Sequence, residues 1–151
     1  MKKIIYFFSL TFALMLLFSS CDIYVNTEPE SKNFSLRITN SISSNYRIDY
    51  VVLQPSGYSD VRTTWGGKPL YDILNSYETI SYGYSRTFNN LEVGRYDIYI
   101  WAYCYSDGRT YQATGEKNKY CNKDMLYTWS VYYSDLLWEY INFDVQSLSK
   151  E

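Results

Sequence analysis

Residues 94–105 read GRYDIYIWAYCY, and this stretch decides the fold class. Side chains of an extended strand point alternately to opposite faces, with a period of two. One face therefore carries Tyr96, Ile98, Ile100, Ala102 and Cys104, and the other carries Asp97, Tyr99, Trp101, Tyr103 and Tyr105. The first set is suited to a core. The second is a row of flat, amphipathic rings. Aromatic and β-branched residues fit a pleated, half-buried surface, so a strand is the natural state of this segment.

Working outward, Asp107-Gly108 is a turn signal that leads into a second run, Thr110 to Thr114. Further downstream, Met125 to Tyr133 and Tyr140 to Val145 read as strands. Upstream, Phe34, Leu36 and Ile38 alternate with Ser35, Arg37 and Thr39, and Tyr46 to Leu53 runs into the turn Pro55-Ser56-Gly57. Ser85 to Phe88 is a shorter signal of the same kind. Nineteen tyrosines, seven phenylalanines and four tryptophans favour sheet throughout. The expectation is an all-β domain over residues 34–151, a single antiparallel β-sandwich of about seven strands. Residues 61–80 resist assignment: Pro69 to Leu74 is either one helical turn or a loop laid over an open end of the sandwich. Within that region Trp65-Gly66-Gly67 is expected to plug one end of the core, with a ligand contact as the alternative.

The first 20 residues differ in kind from the rest. Lys2 and Lys3 precede an apolar run from Ile4 to Phe18 that ends in Ser19 and Ser20, the layout of a secretory signal rather than of a membrane span. The tetrad Phe18-Ser19-Ser20-Cys21 resembles the lipobox of bacterial lipoproteins, with Phe at a position more usually Leu. That resemblance implies cleavage before Cys21, acyl chains on Cys21 and anchorage of the product to a membrane of the bacterial cell envelope. Each buried methylene of such chains contributes about 0.8 kcal/mol. Asp22 to Asn33 is polar, aperiodic and contains Pro29, so residues 21–33 read as the lipidated cysteine and a tether. Setting Cys21 aside leaves Cys104 and Cys121, 17 positions apart, and export makes a disulfide between them the expected state. Such a bridge would contribute roughly 3 kcal/mol. The alternative is a small buried hydrophobe at Cys104 and a loop thiol at Cys121.

Several function classes are excluded or disfavoured. Without Lys2 and Lys3 the 14 basic residues fall to 12 against 16 acidic ones, a balance of −4 that speaks against a nucleic-acid partner. The chain has no histidine, which removes Ser-His-Asp and Cys-His catalysis and His-bearing zinc sites. No cofactor or metal is expected. Gly66-Gly67-Lys68 is not a phosphate loop, because Pro69 stands where Ser or Thr is required. A two-carboxylate hydrolase would draw on Asp97, Asp107, Asp124, Asp135 or Glu139, but no spacing among them picks out a pair. Asn118, Asn122, Asp124 and Asp107 could gather oxygens for calcium, yet no EF-hand loop is present.

The order Asn40-Ser41, Tyr46 with Ile48, Pro55-Ser56-Gly57, Trp65-Gly66, Leu70, Phe88, Leu91, Gly94, Tyr96-Asp97-Ile98, Asp107-Gly108 and Ser134-Asp135-Leu136 resembles a group of small exported bacterial β-sandwich modules. The resemblance spans most of Leu36 to Leu137 and implies fold and export, not chemistry. This chain departs from it in a longer loop at Asn75 to Tyr82, an insertion holding Cys121, and an added segment from Trp138 to Val145.

The aromatic row is the feature with functional content. If Tyr99, Trp101, Tyr103 and Tyr105 are exposed, they form a rigid platform for stacking on a glycan or anchoring an envelope protein. The competing expectation is that the chain covers its own row, through the segment at Trp138 to Tyr140, or that the rings merely stabilise the sheet. Tyr77, Tyr82 and Tyr84 are expected on the surface of their loop. The leading functional reading is a non-catalytic binding module. The alternatives are an assembly lipoprotein that pairs through a strand edge, and a two-carboxylate hydrolase.

Overall fold

The fold comes from a computed structural model, which describes residues 32–136 and the backbone of the strand Asp144–Ser147. It is a β-sandwich. Nine strands follow in chain order: β1 Asn33–Asn40, β2 Tyr46–Pro55, β3 Ile80–Ser81, β4 Ser85–Glu92, β5 Gly94–Cys104, β6 Thr110–Thr114, β7 Lys119–Cys121, β8 Met125–Val131 and β9 Asp144–Ser147. One sheet has the order β4-β1-β8-β9 and the other β3-β2-β5-β6, with β7 continuing the line of β6 along the same edge of β5. All pairings between these strands are antiparallel except β1 with β8, which run parallel. The pair Asp107-Gly108 does turn β5 into β6, with the Gly108 N–H donating to the Cys104 carbonyl at 3.0 Å and Gly108 at φ +69°.

Each sheet offers the other an apolar face. Phe34, Leu36 and Ile38 of β1 meet Ile98, Ile100 and Ala102 of β5, all at most 1% exposed. Trp129, Tyr127 and Val131 of β8 complete that layer. Each Leu, Ile or Phe among them contributes roughly 1.5–3 kcal/mol by leaving water. β2 keeps its register with a bulge between Ile48 and Tyr50, so that Ile48, Val51 and Leu53 all reach the core although two of them are three apart. Asn40 joins the sheets at one end. It is fully buried, its Nδ2 donates to the carbonyls of Tyr46 and Ile80, and its Oδ1 accepts from the Ile42 N–H. No partner-free amide is left there, as burial requires.

Residues 61–80 form no helix. Arg62 to Leu70 make a small hairpin, in which the Thr64 N–H donates to the Lys68 carbonyl and the Gly67 N–H to the Thr64 carbonyl. Gly67, at φ +73°, is the left-handed residue that this three-residue loop needs. The chain then runs along the free edge of β2, where the Leu53 N–H donates to the Tyr71 carbonyl and the Ile73 N–H to the Val51 carbonyl. Trp65 does not plug the core. It stands on the loop of the hairpin, fully exposed, because the turn closes through backbone bonds and needs no anchor from its ring.

Candidate functional site

The outer face of β5 starts from the predicted row, and the structure divides it. Tyr99 lies opposite Val52 and is only 2% exposed. It is covered by a segment remote in sequence. Gln54 of β2, fully buried, donates from Nε2 to the Asp60 carbonyl and accepts from the Arg62 N–H at 2.7 Å, which straps residues 60–62 against the sheet. Ser59, Asp60 and Val61 then stand around Tyr99. Asp97 is also buried. One of its carboxylate oxygens accepts from the Ser56 hydroxyl and from the Asn118 N–H, fixing two loops to this end of the strand.

The other end of the row is open. Trp101 and Tyr103 are half-buried and Tyr105 is 52% exposed. Trp101 is held edge-on to Tyr50, with ring centres 5.7 Å apart, and its Nε1 donates to Gln112. Tyr103 and Tyr105 make a second edge-on pair, and the guanidinium of Arg47 sits 4.8 Å from the centre of the Tyr103 ring. Arg47 also donates to Asp49 at 2.7 Å, an interaction that raises the Arg47 pKa further above its ordinary value. The rings are thus set by packing before anything binds. Tyr99 leaves the predicted site. Trp101, Tyr103 and Tyr105 remain, and Tyr50, Arg47 and Asp49 join them.

Next to this open end lies a groove of about 620 Å³, within the usual range for small-molecule sites. Arg47, Asp49 and Tyr50 line it on one side, and its other walls come from the hairpin at Thr64 and Lys68 and from the loop at Asn75 to Thr79. Burial raises the Asp72 carboxyl above the usual carboxylate range, opposed by N–H groups of Leu74 and Val51 that donate to its Oδ1. Tyr77 is fully exposed at a turn closed by the Glu78 N–H on the Asn75 carbonyl, and its φ is +73°. Turns with a positive φ at the third residue ordinarily take glycine or asparagine there, and a tyrosine costs on the order of 1–3 kcal/mol. Asn90, Asn118 and Asp124 share the positive φ but belong to residue types that tolerate it. Tyr82 and Tyr84 are exposed as expected.

The expected disulfide does not form. Cys104 and Cys121 are both buried thiols, and they lie at opposite ends of the eleven-residue β5, since Cys121 pairs with Gly94. At the usual rise the two ends are about 30 Å apart, whereas bridged Cα atoms lie within about 7 Å of each other. Their surroundings differ as well. Hydrogen bonds, from Ser106 first and then Tyr46, hold the Cys104 thiol below its ordinary value, while burial pushes Cys121 up to about 12.

The candidate carboxylates are not gathered either. Asp97 is committed to its two loops, Asp107 accepts from the Tyr111 hydroxyl at the far end of β5, and Asp135 accepts from Trp129 Nε1 and the Tyr132 N–H. Asn118 pairs with the Asp97 end and Asp107 with the opposite one, so the calcium candidates are split. Cys21, Trp138, Glu139 and Tyr140 lie outside the described residues. Sequence reasoning missed the groove, because its walls come from the segment that carries no periodicity. The exposed pair Trp65 and Tyr77 was the available signal.

No protein-family model matches the chain, and neither a curated protein nor a solved structure matches it.

Proposed function

We propose that this protein is a lipid-anchored, non-catalytic binding module of the bacterial cell envelope, whose ligand is a glycan held on Tyr103, Tyr105 and Trp101. The observation that carries the reading is the preset aromatic surface at the open end of β5, with Arg47 and Asp49 beside it as hydrogen-bonding groups. Rings whose orientation is fixed by neighbours lose little freedom on binding, which is what stacking on a sugar face requires. Arg47 and Asp49 bond each other, and the N–H donors and carboxylate lone pairs left over by that pairing supply a donor and an acceptor for hydroxyl groups. The anchor is supplied by Cys21, in keeping with the lipobox-like tetrad.

Strand pairing draws less support. The outer strand β4 is polar, carries Arg86 and is irregular at Asn90, φ +58°, features that discourage edge-to-edge addition.

The test uses the full chain in detergent on a glycan array, beside Tyr103→Ala and Tyr105→Ala. Binding that falls by about tenfold in the variants supports the site. Binding that is unchanged in both moves the ligand elsewhere on the molecule. Retention of label from a radioactive fatty acid in the wild type, and its absence in Cys21→Ala, checks the anchor.

A further inference from the structure

We infer that the groove and the aromatic row form one continuous track, and that its ligand is an uncharged polysaccharide gripped along its length rather than by one end. This rests on the glycan reading above and specifies the class of glycan.

Continuity comes from shared residues. Arg47 and Tyr50 belong to both parts, since both line the groove while Arg47 lies over Tyr103 and Tyr50 packs on Trp101. A ligand seated on Tyr105 and Tyr103 therefore has a surface to follow toward the hairpin and the Asn75 to Thr79 loop. A monosaccharide would use only a fraction of that surface.

The charges argue for a neutral ligand. Arg47 is paired with Asp49, and Glu78 with Arg86 at 3.1 Å. Lys68 and Asp72 are the remaining cation and acid along the groove wall. The lining is thus polar, with two cations against three acids, and the third acid, Glu78, is paired by Arg86 from outside the groove. Recognition of a carboxylated or sulfated polymer needs cationic forks free to grip its anions, and the fork of Arg47 is already engaged.

Two aromatic side chains that the fold does not use stand at the far side: Tyr77 lines the groove, and Trp65 sits on the loop of the hairpin whose Thr64 and Lys68 form its wall. Trp65 and Tyr77 are both fully exposed on adjacent loops, and Tyr77 is kept in a backbone conformation that disfavours it. Neither ring contributes to the core, and a backbone that would accept glycine has been given a tyrosine instead. Local strain at a loop tip is a feature of ligand clamps. Trp65 and Tyr77 act here as two such contacts, one on each loop.

The experiment measures affinity of the full chain in detergent for a panel of soluble neutral polysaccharides, for the disaccharides of the same linkages, and for polygalacturonate. Trp65→Ala and Tyr77→Gly are compared with Tyr103→Ala. Tyr77→Gly suits the positive φ and leaves the fold intact, so a lost contact is not confused with unfolding. A neutral polysaccharide should bind about tenfold or more tightly than its disaccharide, and both loop variants should lower that affinity several-fold while Tyr103→Ala lowers it further. Glycan binding that ignores both loop variants, equal affinity for the disaccharide, or preference for polygalacturonate overturns the track while leaving the glycan reading standing. Absence of binding to every saccharide overturns both.

Discussion

The two ends of the outer face of β5 began as one pattern and met opposite fates. At the Asp97 and Tyr99 end, residues 56–62 and Asn118 close over the strand, and both side chains are buried. At the Trp101 to Tyr105 end no loop among the described residues closes over the row, only Arg47 and the edge of Tyr103 touch the last ring, and exposure rises to 52% at Tyr105. The same alternation of side chains produced both. Face is a local property of a strand, whereas cover is decided by what the rest of the chain lays on it. The closed end serves stability, and the open end leaves its rings to solvent.

The widest separation between the ends should be thermodynamic. Tyr99→Ala empties a packed site, and removal of a buried aromatic costs about 3–5 kcal/mol, so its denaturant midpoint should fall steeply. Tyr105→Ala should stay within about 0.5 kcal/mol of wild type, as exposed substitutions do. Equal losses in the two variants would break the comparison outright.

The strap is the next point of attack. Gln54→Ala leaves the Asp60 carbonyl and the Arg62 N–H without their side-chain partner, which should cost about 2 kcal/mol. Hydrogen exchange at the Arg62 amide should accelerate along with it. If that amide stays protected, the cover over Tyr99 is held by something other than Gln54.

A smaller contrast sits in the thiols, one at each end of the strand. Alkylation of the native chain near pH 8 should reach Cys104 roughly tenfold or more faster than Cys121, because the thiolate is the reactive form and Cys121 is pushed up to about 12. Reduction should leave the intact mass unchanged. A mass rise of two hydrogens on reduction would show a bridge and demand a different course for β7.

The least effect is expected from Asp107, at the turn beyond the open end. Its carboxyl is lowered by the Tyr111 hydroxyl first and by the Arg109 N–H second. The folded state therefore favours the charged form. This contribution is present above the ordinary carboxylate value and fades as pH falls through it, ending below the depressed folded value. Asp107→Asn should flatten the acid limb of the stability profile by a small amount, since the group is open to solvent and screened. An unchanged acid limb would remove Asp107 from that account.

Much of the architecture was legible because it depends on neighbours in sequence. The faces of β5 follow from alternation, β6 begins and ends where Thr110 to Thr114 placed it, and the Asp107-Gly108 turn formed as its composition required. The disulfide misreading was avoidable from the same turn. With Tyr103 opposite Thr110 and Tyr99 opposite Thr114, continuing the count carries residue 121 to the beginning of β5, away from Cys104. The parallel pairing of β1 with β8 was not legible, because nothing in either strand records which distant segment will lie beside it. β3 and β7 are two and three residues long and carry too little pattern to be seen. The groove was hidden for a related reason: its walls are turns whose form depends on backbone bonds such as Thr64 with Lys68, and a turn's presence does not tell what it faces.

The placement of β1 also bears on how the molecule withstands a pull. β1 lies between β4 and β8, hydrogen-bonded on both sides, and residues before Asn33 enter it directly. Tension applied along those residues would load both ladders in shear, so that many bonds must yield together. A strand peeled from a sheet edge gives way one bond at a time. Resistance of this kind is governed by the rate of unfolding rather than by equilibrium stability, so a load entering at Asn33 would meet a kinetic resistance that a denaturation curve does not report.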